Sequence, residues 1–253
     1  MDRTVITSAW LNRLHWADGW NVLQGTVEIS HPSIWVIDPA ATDLQLADQY
    51  ETVLSTDELA RGNRFHQAAH SVRFKVAHTI LRLLLSRSTT SNPTAICFAE
   101  GHHHKPQLQG QPGIPIEFNL SYSQNKAMIG LANDHPVGID IEWLHRPLDI
   151  QDMLSACFSE SEIAFITSRN EGIYHRFFTL WTRKEAVLKL TGEGIGEHLP
   201  FFEVLDGMHI AEKKIIGGQP PNTIYLYSFP VGYDFLGCFA SPTPVSELFF
   251  YQL

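Results

Sequence analysis

The stretch FTLWTRKEAVLKLTGEGIG, Phe178 to Gly196, decides the fold of the second half of this chain. Its apolar residues recur at helical spacing up to Gly192, a residue type that commonly ends helices, and this pattern predicts a long helix. Four charged residues lie within two turns of it: Arg183, Lys184, Glu185 and Lys189. The many apolar neighbours predict a largely buried helix, and a buried carboxylate needs a partner.

Glu185 and Lys189 lie four residues apart, so they share one face of the predicted helix. A Glu–Lys pair at this spacing can simply stabilise a helix, by about 0.2–0.5 kcal/mol. It can also present an acid and a cation to one ligand, and the spacing leaves both interpretations open. Trp181, one turn earlier, is expected to pack the helix against a sheet and to have no chemical role.

A second acidic site lies on a predicted strand with the sequence HPVGIDIEWL. Its alternation directs Ile139, Ile141 and Trp143 to one side and Asp140 and Glu142 to the other. Two neighbouring carboxylates repel each other unless a cation or water separates them, and Mg²⁺ prefers such oxygen ligands. The alternative is the polar outer face of a half-exposed strand, which is ordinary in antiparallel sheets.

Cations and short hydroxyls upstream could bind an anion. Arg64 and Arg73 lie around a helix start, and Lys105 precedes a proline in a loop. Arginine and lysine both bind phosphate groups, although scattered surface cations are the simpler interpretation. Ser121 and Ser123 end a strand with the sequence FNLSYS, where hydroxyls can hold a phosphate oxygen or simply form a turn.

The remaining segments predict a mixed α+β protein whose two halves each carry helices and strands. A long helix is predicted from Gln67 to Ser86, and capping boxes are predicted at Ser55 with Glu58 and at Ser159 with Glu162. Strands are predicted at 33–38, 94–99, 116–123, 126–132, 223–230, 233–240 and 247–253, and a loop or hairpin at 101–115. We expect a boundary between Ala99 and Leu131.

The composition excludes several classes of protein. The formal net charge of −9 argues against a nucleic-acid binder. The three cysteines are far apart, which predicts free thiols in a reducing compartment. We see neither a signal peptide nor a run of about 18 apolar residues, so we expect a cytoplasmic protein without a membrane span. His102–His104 lack matching ligands for structural zinc.

Together these motifs resemble one family. VGIDIE at Val137–Glu142, WTRKEAVLK at Trp181–Lys189 and GEGI at Gly192–Ile195 are similar to the motifs of the larger, synthetase-activating (surfactin-type) 4′-phosphopantetheinyl transferases. RF at Arg64–Phe65 with Arg73, KP at Lys105–Pro106 and FNLSYS at Phe118–Ser123 resemble the upstream motifs of that family, in the same order.

The resemblance implies a reaction and a fold. Such enzymes move the phosphopantetheine arm of coenzyme A onto a serine of an apo acyl or peptidyl carrier protein, require magnesium and release adenosine 3′,5′-bisphosphate. They have two similar α/β halves in one chain, packed as a pseudo-dimer around a cleft. By this resemblance, residues 1–124 form a half that contacts coenzyme A phosphates, and residues 125–253 form the half with the magnesium and catalytic residues. Two halves in one chain reduce the need for a dimer, so we expect a monomer, and charge and hydropathy predict neither nucleic-acid nor membrane partners.

The resemblance also assigns roles to particular residues. Asp140, Glu142 and Glu185 match the magnesium ligands, and Asp140, Glu185 and Lys189 match catalytic residues. Glu185 is the candidate general base, and Lys189 the lysine near the reacting phosphate. Glu162 matches an acidic family position, although its capping-box position gives it a purely structural interpretation.

Five residues match family positions that bind coenzyme A: Arg64, Arg73, Lys105, Ser121 and Tyr122. The family usually has histidine where this chain has Tyr122. A histidine can bring positive charge to a phosphate, whereas tyrosine offers only a neutral hydroxyl. We therefore expect this chain to bind coenzyme A more weakly than relatives with histidine at this position do, and to carry out the same chemistry.

Two other functions fit part of the pattern. One is a coenzyme A or nucleotide-binding protein without catalysis, and the other is a magnesium-dependent phosphodiester hydrolase that uses the same carboxylates. The sequence does not rank fatty-acid, polyketide and nonribosomal peptide carriers as partners.

Overall fold

A computed structural model describes residues 2–25, 27, 30–100, 106–109 and 115–253. The chain forms two compact units. The carboxyl unit contains residues 2–14 and 136–246, and the amino unit contains the described residues of 15–100, 106–135 and 247–253. His102–His104 and Lys105 lie outside the described residues.

The described chain contains both strands and helices, which occur in runs of one type. The strands are β1 (Arg3–Trp10), β2 (Trp16–Asp18), β3 (Ser33–Ile37), β4 (Cys97–Glu100), β5 (Pro106–Gln109), β6 (Ile116–Ser123), β7 (Lys126–Asn133), β8 (Gly138–Trp143), β9 (Gly207–Glu212), β10 (Thr223–Val231), β11 (Phe235–Ser241) and β12 (Phe249–Gln252). The helices are α1 (Gly19–Leu23), α2 (Pro39–Leu46), α3 (Tyr50–Val53), α4 (Thr56–Asn63), α5 (Ala68–Thr89), α6 (Gln151–Cys157), α7 (Glu160–Thr167), α8 (Ile173–Thr191) and α9 (Lys213–Ile216).

The amino unit places the long helix α5 on a sheet with the strand order β2-β12-β3-β7-β6. All five residues of β3 are buried, as expected for a strand covered on both faces. The apolar stripe of α5, including Val76, Ile80 and Leu84, packs in one core with the apolar residues of β3, β6 and β7. Strands β4 and β5 form a separate antiparallel pair.

The carboxyl unit places α8 on a sheet with the strand order β8-β11-β10-β1-β9. Strand β1 pairs parallel with β10 and antiparallel with β9. Helix α8 contributes Phe177, Val187 and Leu190 to a core shared with apolar residues of β1, β10 and β11. The candidate residues of this unit therefore lie on two packed elements, β8 and α8.

Many predicted elements are confirmed. The mixed α+β class is correct, both capping boxes form, and α8 ends at Gly192 in the left-handed conformation. The strands β1, β2 and β9 were not anticipated by the sequence patterns. No helix within the described ranges is both long enough and apolar enough to cross a membrane.

The boundaries of the two units differ from those of the predicted halves, 1–124 and 125–253. Residue 124 lies in the turn between β6 and β7, and these strands pair in one sheet, so both belong to the amino unit. The terminal strands also cross over, because β1 belongs to the carboxyl unit and β12 to the amino unit. Pairing between strands that are distant in the sequence decides which unit each strand belongs to, and the order of the segments along the chain does not reveal this pairing.

Gly138 lies where the backbone of β8 comes very close to the backbone of α8. A Cβ atom at this position would lie 2.0 Å from the carbonyl oxygen of Ala186 and 2.5 Å from the amide nitrogen of Leu190. Both obstacles are helix backbone, which cannot rotate away as a side chain can. Only glycine therefore allows this packing distance between the strand and the helix.

Gly138→Ala should lower the unfolding free energy by about 1–3 kcal/mol or more, because the added methyl group forces strand and helix apart. Urea unfolding measures the change. Gly25→Ala is the control, since the nearest atom to a Cβ there, the Val22 carbonyl oxygen, is 3.8 Å away. Equal stability of the two variants would contradict the proposed close contact.

Lys184 and Glu162 form an ion pair that is fully buried in the carboxyl unit. Lys184 Nζ lies 2.8 Å from Glu162 Oε2, and both side chains are 0% exposed. Lys184 also donates to the carbonyl oxygens of Leu199 and Phe202, at 2.7 and 2.6 Å. Glu162 completes the capping box with Ser159 and accepts a backbone hydrogen bond at Oε1. Burial lowers the pKa of Lys184, and the Glu162 charge opposes that shift.

Arg183 is a second buried cation with a structural task. Its guanidinium donates to Ser228 Oγ, to the Val204 carbonyl oxygen and to Asp206 Oδ1, at 2.8, 2.8 and 2.6 Å. Arg183 and Lys184 therefore tie the segment 199–206 to α8. The sequence left open what the charges on this helix do, and the structure gives these two a role in folding.

Removing one partner of the buried Lys184–Glu162 pair should strongly lower the unfolding free energy. Lys184→Met alone should lower the unfolding free energy by about 3–5 kcal/mol, because it leaves the Glu162 carboxylate buried without its cation. The double variant Glu162→Gln with Lys184→Met should lose less than the sum of the single losses, since no unpaired charge remains. Urea unfolding of the unaltered protein, of each single variant and of the double variant measures this coupling, and additive losses would refute it. Lys214→Met, at an exposed pair with Glu212, serves as the control and should change little.

Candidate active site

Asp140 and Lys189 meet where β8 packs on α8. Lys189 Nζ lies 2.7 Å from Asp140 Oδ1. Asp140 is only 4% exposed, so this carboxylate is not on the outer polar face that the alternation allowed. Strand β8 is buried at its first four positions, which include both Asp140 and the apolar residues around it. The two residues form a partly buried ion pair contributed by two different elements.

Glu185 lies in the same neighbourhood with an unusual protonation equilibrium. Burial, together with the charges of Asp140 and Glu142, raises the pKa of its carboxyl to about 7. The Lys189 cation opposes the shift. Among the described residues, the buried oxygen Oε1 of Glu185 has no hydrogen-bond partner. This carboxyl group can therefore accept or release a proton near neutral pH.

One oxygen of Glu142 has a hydrogen-bond donor and a cation close to it. Trp181 Nε1 donates to Glu142 Oε1 at 3.2 Å, and Arg146 Nη1 lies 3.7 Å from the same oxygen. The Trp181 ring also stacks on Phe177, with a centroid distance of 6.3 Å. We expected Trp181 to pack, which it does, but its hydrogen bond to an acidic residue was missed. Its position one turn before Glu185 was the available signal.

The three acidic side chains carry the oxygen donors that Mg²⁺ prefers, and their mutual repulsion adds to the burial that raises the pKa of Glu185. A cation would relieve that repulsion and would satisfy the buried Glu185 Oε1. The described part of the chain contains no group of three His, Cys, Asp or Glu side chains arranged to hold a metal ion. Asp140 is paired with Lys189, and Glu142 with Trp181 and Arg146. The magnesium site therefore stays a prediction.

In the amino unit, Arg73 and Tyr122 lie side by side. Arg73 Nη1 donates to the Gln124 carbonyl oxygen at 2.6 Å, and its guanidinium lies over the Tyr122 ring, 5.5 Å from the centroid. Gln124 has a positive φ of 48° in the tight turn after β6, so Arg73 also stabilises this turn. Arg73 and Tyr122 thus place a cation and a phenol group side by side near the amino-terminal end of α5.

The other predicted phosphate-binding residues have different environments. Ser121 is buried at 3% exposure, next to the 37% exposed Tyr122 on β6. Arg64 ends α4 and is exposed. Lys105 belongs to the undescribed stretch, so its predicted role remains a prediction. The structure brings Arg73 and Tyr122 together within the amino unit, and Asp140, Glu142, Glu185 and Lys189 together within the carboxyl unit.

Comparisons with known proteins agree with the motifs. A family model described as the 4′-phosphopantetheinyl transferase superfamily matches residues 136–229, which include β8 and α8. The chain is 36% identical to the 4′-phosphopantetheinyl transferase HetI of Nostoc sp. over 65% of this chain and 70% of that protein. It is 29% identical to the 4′-phosphopantetheinyl transferase psf-1 of Bacillus pumilus over 79% of this chain and 85% of that protein.

A third relative is the 4′-phosphopantetheinyl transferase Sfp of Bacillus subtilis, at 25% identity over 77% of this chain and 86% of that protein. These matches extend well beyond the short motifs, and the resemblance inferred from the sequence is confirmed. Since a relative that is 36% identical is matched over 70% of its length and the family model falls on the elements that carry Asp140, Glu185 and Lys189, the chain belongs to the 4′-phosphopantetheinyl transferase family.

Proposed function

We propose that this enzyme transfers the 4′-phosphopantetheine moiety of coenzyme A to a serine hydroxyl of an apo carrier protein and releases adenosine 3′,5′-bisphosphate. The observation that carries the proposal is the meeting of Asp140, Glu185 and Lys189 inside the segment matched by the family model. Phosphoryl transfer depends mainly on positioning and on neutralisation of charge, which such a group of side chains provides.

Glu185 takes the proton of the attacking serine. A general base works best when its pKa lies near the working pH, and burial together with neighbouring charges raises the pKa of Glu185 to about 7. Lys189 has the complementary task. Its ammonium group offsets negative charge on the leaving oxygen or protonates it. In the structure this ammonium group is oriented by Asp140, at 2.7 Å.

A magnesium ion, when bound, supplies positive charge that stabilises the diphosphate of coenzyme A during transfer. Asp140, Glu142 and Glu185 would hold it. The support is chemical, because all three are carboxylates and one of them has a buried oxygen without a hydrogen-bond partner among the described residues. Trp181 and Lys189 orient two of these carboxylates.

The coenzyme A phosphates are assigned to Arg64, Arg73, Lys105, Ser121 and Tyr122. The observed contact of Arg73 with Tyr122 supports a shared site for at least these two. From the family resemblance we also infer that the chain acts as a monomeric pseudo-dimer with coenzyme A in the cleft between its halves. A cytoplasmic enzyme that acts on acyl carrier proteins or on carrier domains of synthetases fits this assignment.

Transfer can be tested directly. The protein, Mg²⁺, coenzyme A and an apo carrier protein should yield a carrier whose mass increases by one phosphopantetheine group. Asp140→Asn and Glu185→Gln should each slow transfer by at least about 100-fold, because each removes a charge used in the transition state. Excess chelator should also stop transfer.

Glu160→Gln is the matched control, since Glu160 is an exposed acidic residue on α7. A carrier left unmodified by the unaltered enzyme would contradict the proposed function: intact coenzyme A would indicate binding alone, and cleaved coenzyme A a hydrolase. Full activity of Asp140→Asn would instead contradict only the assigned site. Mass spectrometry of carrier and coenzyme A separates these outcomes.

The rate of transfer should depend on pH through Glu185. Its carboxyl must be ionised to accept a proton, so kcat/KM should fall at acidic pH. The pKa is about 7 in the metal-free protein, and a Mg²⁺ ion held by Glu185 would move this limb to lower pH. A pH profile of the rate measures this limb. Profiles at low and at saturating Mg²⁺ test this, because an acidic limb that stays at the same pH in both would show that it does not report Glu185 as a metal-bound base.

The same shift predicts a stability effect that is independent of activity. Because the pKa rises from 4.5 in a free glutamate to about 7 in the folded protein, this group favours folding most below pH 4.5 and progressively less as the pH rises to about 7. Glu185→Gln should therefore stabilise the protein more at about pH 8 than at about pH 5. Urea unfolding at both values tests the sign.

Tyr122→His should tighten coenzyme A binding, because an imidazolium can form a charge-assisted hydrogen bond to phosphate, roughly twice as strong as a neutral one. Calorimetry measures the affinity at a pH where the imidazole is protonated. Tyr122→Phe is the control, since it keeps an aromatic ring beneath Arg73 and lacks the hydroxyl. If the affinity of Tyr122→His does not increase, the assignment of Tyr122 to a phosphate is incorrect.

A further inference from the structure

We propose that Trp181 is a positioning residue for the Glu142 carboxylate, and that its indole N–H fixes one oxygen of that carboxylate in the active site. The Nε1–H group donates to Glu142 Oε1 at 3.2 Å, from α8 across to β8. The consequence for catalysis rests on the proposed function, whereas the positioning itself rests on this contact.

The Trp181 ring is held in place independently of Glu142. It lies nearly parallel to the Phe177 ring, with an interplanar angle of 6° and a centroid distance of 6.3 Å. Phe177 is itself fully buried, one turn earlier on the same helix. Because an indole can only donate, a ring fixed in this way directs its single N–H toward one point in space.

Arg146 restrains the same oxygen less strictly. Its Nη1 atom lies 3.7 Å from Glu142 Oε1, beyond normal hydrogen-bond length, and its side chain is 51% exposed. The Glu142 side chain, in contrast, is 12% exposed. A long, hydrated arginine contributes charge without a fixed geometry, so of these two groups Trp181 is the one that gives the carboxylate a direction.

Orientation matters at this position because Glu142 faces other charged groups. The charges of Asp140 and Glu142 both act on Glu185, so a rotation of the Glu142 carboxylate would change the electrostatic environment of the candidate base. Groups that hydrogen-bond a metal-binding carboxylate typically change metal affinity or activity by about 10- to 100-fold when they are removed. Trp181 has this geometric relation to Glu142.

Trp181→Phe tests the proposal, because phenylalanine keeps a ring that can stack on Phe177 and lacks the N–H donor; it also lacks the five-membered ring, a loss that the Trp10→Phe control shares. We expect the Mg²⁺ concentration for half-maximal transfer to rise by about 10- to 100-fold. Trp10→Phe is the matched control, a partly buried tryptophan of the same unit whose ring stacks on His175 at 5.7 Å. The control should keep the Mg²⁺ requirement of the unaltered enzyme.

A second readout does not use activity. In protein labelled with ¹⁵N-tryptophan, the indole resonance of Trp181 is identified by its loss in Trp181→Phe. Glu142→Gln should shift that resonance upfield, because a neutral amide is a weaker acceptor than a carboxylate. An unmoved resonance, or an unchanged Mg²⁺ requirement in Trp181→Phe, would overturn the proposal. Absence of transfer by the unaltered enzyme would refute the proposed function, and the resonance would still decide whether Trp181 holds Glu142.

Discussion

The backbone contact between β8 and α8 at Gly138 is the constraint on which the candidate active site depends. With 2.0 Å between a hypothetical Cβ and the Ala186 carbonyl oxygen, no larger residue fits there. Two residues later, Asp140 reaches Lys189 on the next turn of the helix. Close packing therefore turns a strand and a helix that are distant in sequence into a single chemical surface.

Helix α8 separates its charged residues by function. Arg183 and Lys184 are buried and bind backbone carbonyls and carboxylates of the surrounding segments, which fixes the helix in its unit. Glu185 and Lys189 instead interact with the carboxylates of β8. Because burying charges is costly, the Lys184 ammonium group has three acceptors for its three hydrogens, while Glu185 keeps an oxygen without a partner in the described region.

Local patterns in the sequence predict local structure well here. Helical spacing and the stop at Gly192 predicted α8, and a serine followed three residues later by glutamate predicted both capping boxes. Partners that lie far apart in the chain were not predictable in the same way. No pattern indicates that Lys184 pairs with Glu162, or that β1 pairs parallel with β10 across more than half of the chain.

The acidic site was also predictable in its local motifs and not in its contacts between distant segments. Motif spacing identified Asp140, Glu142, Glu185 and Lys189, because the family resemblance preserves residue type and order. The resemblance did not reveal that Trp181 donates to Glu142, since a hydrogen bond across two elements depends on their exact packing. Hydrophobic spacing alone predicts that Trp181 packs in the core. Its contacts with Glu142 and Phe177 are the basis of the positioning role that we propose for it.

The central claim is that β8 and α8 hold one cation and the diphosphate of coenzyme A. A crystal structure of the protein with coenzyme A and Mn²⁺, recorded at the manganese absorption edge, tests it most directly. We predict an anomalous peak in contact with Asp140, Glu142 and Glu185, with the diphosphate beside Lys189. A manganese peak or a diphosphate bound elsewhere on the protein would contradict this account.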